Sequence, residues 1–165
     1  GAQTWESEML KMGATAVAAA VLIGAAGFAV GQMMADPVPG LFPYDDAERV
    51  ANGAALYAEN CASCHGEQLE GQPDWKQRDA DGYLPAPPHD AAGHTWHHPD
   101  EQLLAIVTLG TEAIVGGGYK SNMQGFGDVL SEDEILDVMA YIKSTWPEQV
   151  VATHNEINAR ASAYE

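Results

Sequence analysis

The run Cys61-Ala62-Ser63-Cys64-His65 constrains this chain more than any other stretch. Two thiols at this spacing fall within one helical turn, where each can add to one vinyl group of a single haem. The histidine that follows can then turn a ring nitrogen to the iron. A thioredoxin-like redox pair would need a βαβ surround, and half a zinc site would need further ligands alongside a second cysteine pair. The sequence holds only these two cysteines. Covalent haem attachment through Cys61 and Cys64, with His65 on the iron, is therefore the favoured reading, and it leaves no thiol for a structural disulfide.

The length of 165 residues suits one small domain plus an appendage. A haem would supply a chain of this size with apolar surface that its own side chains would struggle to provide. Formal charge is −17, with 24 Asp and Glu against 7 Lys and Arg. Such a surface repels phosphate backbones, so nucleic acid is excluded as a partner class.

Residues 12–35 carry no charge. As a helix at 1.5 Å per residue they would reach about 36 Å, enough to cross a hydrocarbon core of roughly 30 Å. The competing reading is a secretory signal cleaved near Gly27-Phe28-Ala29. The run is longer than a usual signal core, and a retained membrane anchor is the expectation. Lys11 is the only flanking basic residue, so charge says little about orientation. Gly27-x-x-x-Gly31 is a spacing that lets transmembrane helices approach closely and admits a helix partner in the membrane. Residues 36–43 contain three prolines and read as a short, stiff linker reaching about 25 Å, which would hold the following domain near the membrane surface.

Asp45 and Asp46 open a helix that runs to Asn60, with Val50, Gly53, Ala54 and Tyr57 on one face. A glycine in mid-helix costs about 1 kcal/mol relative to alanine, which suggests another backbone packing close at Gly53. Residues 66–98 are rich in Gly, Pro, Asp and His and read as loop. His89, His94, His97 and His98 crowd this loop; they match no common metal spacing, and contacts to a haem edge or to backbone are the simpler reading. Pro99 starts a further helix that Gly110 ends. Gly116-Gly117-Gly118 lacks the Lys-Ser or Lys-Thr of a phosphate loop and reads as a flexible approach to Met123. Ser131 with Glu134 forms a capping box for a helix to about Trp146, closed by Pro147, with Ile135, Val138, Met139 and Ile142 buried. Residues 148–165 read as a partly helical tail.

Residues 44–147 resemble a class I c-type cytochrome: a helix ending in C-x-x-C-H, a long loop, a Met-bearing loop within Ser121-Asn122-Met123-Gln124-Gly125-Phe126, and a last helix opening on Ser131-Glu132-Asp133-Glu134. The resemblance implies an all-α domain around one covalent haem c, with His65 and Met123 as the axial iron ligands. Many members carry proline directly after that methionine, where this chain has Gln124. Met9, Met12, Met33 and Met34 lie in or beside the apolar segment and Met139 on a core stripe, so Met123 is the methionine at the family's spacing. A loop histidine is the runner-up. By the same resemblance, Gly53 and Tyr57 mark where the first helix crosses the last near Tyr141, and the carbonyl of Pro87 or Pro88 accepts the Nδ1 proton of His65. The expected organisation is a flank and transmembrane anchor at 1–35, a linker at 36–43, the haem domain at 44–147 and a tail at 148–165.

The family resemblance implies an electron carrier and not an enzyme. It also implies a single-pass protein of the bacterial inner membrane with its haem on the periplasmic side. Such a protein would pass single electrons from a quinol-oxidising complex to an oxidase or reaction centre. The alternatives are a fixed cytochrome subunit of a larger dehydrogenase or oxidase, and a haem-based sensor.

Overall fold

Asp46 ends the entry segment with extended backbone, and its carboxylate accepts from the amides of Glu48 and Arg49 at 3.0 and 3.2 Å, which starts helix α1, Ala47–Asn60. This computed structural model describes residues 40–163. The membrane segment expected at 12–35, its flank and the linker as far as residue 39 lie outside the described residues. Among those described, no helix is long and apolar enough to cross a membrane.

After α1 the chain makes one short turn of helix, α2, Ala62–His65, and then the long loop, broken by a 3₁₀ turn at Thr95–His97. Helix α3, Asp100–Leu109, ends at Gly110, whose φ of +87° suits glycine; α4, Thr111–Val115, follows at once. The Met123 loop leads to α5, Glu132–Ser144, which opens on the full capping box of Ser131 and Glu134. Helix α6, Glu148–Ser162, is longer and more regular than the partly helical tail read from the sequence. The described residues form no strand, only an isolated bridge between Gly110 and Gln124.

The core is built where α1 crosses α5. A Cβ on Gly53 would collide with the Asp137 carbonyl, so the two backbones touch at the point the sequence marked. Tyr57, four residues on, packs its ring 5.4 Å from that of Tyr141. Beside the crossing, Asp137 is bonded to the Arg49 guanidinium and accepts from the Asn52 amide at 2.7 Å. Tyr57, Leu103, Val138, Met139, Ile142 and Trp146 continue the same cluster.

Phe42 joins that cluster fully buried, although the sequence pattern placed it in the linker. Its amide reaches Asp100 at 3.4 Å, and its ring stacks on His154 of α6. Around it lies a buried polar set: Lys143 donates to Asn155 at 2.8 Å, the Asp100 amide donates to Asn158 at 2.9 Å, and His154 donates from Nε2 to the His98 carbonyl at 3.0 Å. These bonds join the 40–44 segment, the start of α3, the end of α5 and helix α6, although Asp100 Oδ1, His154 Nδ1 and Asn158 Nδ2 within the set have no hydrogen-bond partner.

Candidate functional site

Cys61 closes α1 and Cys64 and His65 belong to the single turn of α2, so the motif sits where the chain leaves one helix and reverses. The two cysteines form no disulfide. Burial, with the neighbouring Cys64, pushes the Cys61 thiol up to about 11. Both line a cavity of about 500 Å³, within the roughly 300–1,000 Å³ range of cofactor sites. His65 and Met123 line the same cavity, and Leu103, Ile106, Val107 and Val138 supply apolar wall.

His65 is fixed from behind. Its Nδ1–H donates to the Pro87 carbonyl at 2.8 Å, leaving Nε2 as the nitrogen free for a metal. Burial pushes its imidazole below the ordinary range while the Pro87 carbonyl partly opposes this, and the net direction favours the neutral ring that a ligand must be. Pro87 is brought there by backbone bonds across the loop. Gly71 donates to the His65 carbonyl at 2.7 Å, Gln72 to Ala86 at 2.9 Å, and His89 to Leu69 at 2.8 Å. Leu69 holds φ at +67°, unusual for leucine, and keeps it because its side chain is buried and its carbonyl accepts the His89 and Asp90 amides.

Met123 lies on a loop sewn along the end of α3 and the start of α4. Its carbonyl accepts from Thr111 at 3.2 Å, its amide donates to Ser121 Oγ at 3.0 Å, and Phe126 and Gly127 donate to the carbonyls of Val107 and Thr108. Met139 also reaches the cavity wall but is locked in the α5 core.

The loop histidines separate into distinct roles. His89 stacks on His65 with ring centroids 4.0 Å apart, and its Nδ1 pairs with Thr95 Oγ1 at 2.8 Å. Burial, with His65 and His94 adding, pushes it well below the ordinary range. Its position beside the ring of His65 makes it a brace for that ring. His94 stacks on Trp75 and His97 on Trp96. Among the described residues no three metal-competent side chains converge. The sequence pattern did not reveal the brace, although its place just after Pro87 and Pro88 put it next to the histidine that one of them was expected to hold.

The donor set fits a covalently held haem: two thiols on one turn, an imidazole oriented by a carbonyl, a thioether on a facing loop, and an apolar cavity. Similarity to known proteins agrees. The family model described as Cytochrome c matches residues 50–146. The cbb3-type cytochrome c oxidase subunit FixP of Azorhizobium caulinodans is 29% identical over 94 residues, covering 57% of this chain and 28% of the relative. A nitrite reductase of Stutzerimonas stutzeri is 30% identical over 109 residues, covering 62% of this chain and 17% of the relative. The chain thus spans under a third of the length of either curated relative.

Proposed function

Because this chain belongs to the cytochrome c family, as a class I c-type domain, we propose that it relays single electrons between membrane redox complexes through one haem c held by Cys61 and Cys64, with His65 and Met123 as axial ligands. The observation that carries the reading is that a carbonyl-fixed imidazole and a loop methionine line one apolar cavity beside the two thiols. Haem in such a site supplies reversible one-electron chemistry, and His/Met ligation raises its reduction potential. The protein's own residues do the rest. Pro87 and His89 hold the His65 ring, the Thr111 and Ser121 bonds position Met123, and the apolar wall excludes water. Were His65 and Met123 both to hold the iron, no position would be left for a substrate, which would favour a carrier over an enzyme or ligand sensor.

Residues 12–35 would anchor the domain on the periplasmic face of a bacterial inner membrane. A second reading, a fixed cytochrome subunit, is favoured by the names of the relatives, one a subunit of an oxidase and the other a reductase much longer than the matched segment. Extraction of native membranes in mild detergent, with intact-mass analysis of the purified chain, tests both. A chain carrying one haem adduct and released alone supports the carrier, and a stable complex supports the subunit. A chain without a haem adduct refutes both.

A further inference from the structure

The segment between α4 and Met123 turns on a glycine run, with the Tyr119 amide donating to the Gly116 carbonyl at 3.0 Å. Gly116, Gly117 and Gly118 all take positive φ, at +66°, +63° and +77°, and a Cβ on any of them would meet nothing within 4 Å. Immediately beyond them, two side chains cross to the long loop on the other side of the cavity mouth. The Arg78 guanidinium lies over the Tyr119 ring, 4.9 Å from its centroid, and Lys120 Nζ lies 5.6 Å from the centroid of Tyr83. The pairs are reciprocal, since each loop gives one cation and one ring.

Hydrogen bonds fix the two cations. Lys120 Nζ donates to the Asp81 carbonyl at 2.7 Å, and Arg78 Nη1 donates to the Gly82 carbonyl at 2.6 Å. The 78–83 turn is a firm partner, because the Asp79 carboxylate accepts from the amides of Asp81 at 3.0 Å and Tyr83 at 2.8 Å. Leu84 follows this turn directly and lines the cavity, as do Ser121 and Met123 after Lys120.

We propose that Arg78, Tyr83, Tyr119 and Lys120 form a clasp that holds the Met123 loop closed and so sets how readily an outside ligand replaces Met123. The inference rests on Met123 being an axial ligand. The four are positioning residues that act through the loop. The Tyr119 amide bond to the Gly116 carbonyl and the Ser121 amide bond to Glu112, each at 3.0 Å, are local to this stretch, whereas the clasp ties it across to the 78–83 turn.

An exposed cation–ring contact shifts an equilibrium by about two- to fivefold, so losing both opens the loop by about tenfold. The test is imidazole binding to the full haem-bearing chain in the ferric state. The double variant Tyr83→Leu with Tyr119→Leu binds imidazole about tenfold more tightly, whereas Tyr83→Phe with Tyr119→Phe, which keeps both ring faces, matches the parent. Arg78→Gln with Lys120→Gln, which also loses the Lys120 bond to the Asp81 carbonyl, gives a rise at least as large as the leucine pair, and is the measurement to use if the leucine pair does not fold. Unchanged affinity in the cation variant, or an equal rise in the phenylalanine pair, overturns the clasp. If the parent lacks the long-wavelength band of a methionine–ferric iron bond, the ligand assignment falls and the clasp with it. If the band is present and affinity is unchanged, the clasp alone falls.

Discussion

Replacing Gly53 with alanine sets two effects of opposite sign against each other. Helix propensity alone would stabilise α1 by about 1 kcal/mol. The new methyl group, however, would collide with the Asp137 carbonyl and sit 3.0 Å from the Val138 nitrogen. Both are backbone atoms within α5, so no rotamer change relieves the overlap and the helices must separate. Separation loosens Tyr57, Val138 and Met139, each at most 2% exposed. Overpacking of this kind costs typically about 1–3 kcal/mol, and more where backbone must move. Because both contacts are backbone the cost lies at the upper end of that range, so the crowding wins by about 1–2 kcal/mol, with a fall in Tm of about 3–12 °C for a domain of this size. Denaturant and thermal unfolding of the haem-bearing chain measure it. Ala51→Gly, at an exposed position on the same helix, reports the propensity effect alone. A Gly53→Ala variant as stable as the parent, or more so, would refute the close crossing.

Asp137→Ala removes the carboxylate shared by Arg49 and Asn52 and should cost about 1–2 kcal/mol, discounted because Arg49 is partly solvated; a change within error in urea unfolding would mean the pair contributes nothing. His154 is pushed below its ordinary 6.5 by burial and by Lys143, with Asp100 and the His98 carbonyl opposing. The unfolded chain then binds the proton more readily than the folded one. Stability is full above about pH 6.5 and is lost as pH falls below it, and His154→Gln should flatten that slope in unfolding midpoints measured from pH 8 to 5. Stability rising on acidification through this window would contradict the sign.

The helices were legible because their signals are local. Asp46 and Ser131 announce the starts of α1 and α5, and the 3.6-residue spacing of Ile135, Val138, Met139 and Ile142 gives the buried face. The cysteines and His65 were legible as a motif, and Pro87 only through the family resemblance. What escaped depends on contacts between distant segments. Phe42 looked like linker beside three prolines, yet its burial is decided by Asp100 and His154, 58 and 112 residues away. The regular helix α6 was obscured because its buried face carries His154, Asn155 and Asn158, polar residues whose partners lie on other elements. The reciprocal cation–ring pairs had no local signal, since each joins loops about 40 residues apart.

The proposed electron relay depends on His65 and Met123 together holding the iron of one covalent haem. Titration of the dithionite-reduced full chain with carbon monoxide, read by visible absorption, tests it most directly. The parent is expected to show no spectral change and Met123→Ala to bind carbon monoxide readily. Binding in the parent, or a Met123→Ala protein that still excludes carbon monoxide, would contradict that ligation.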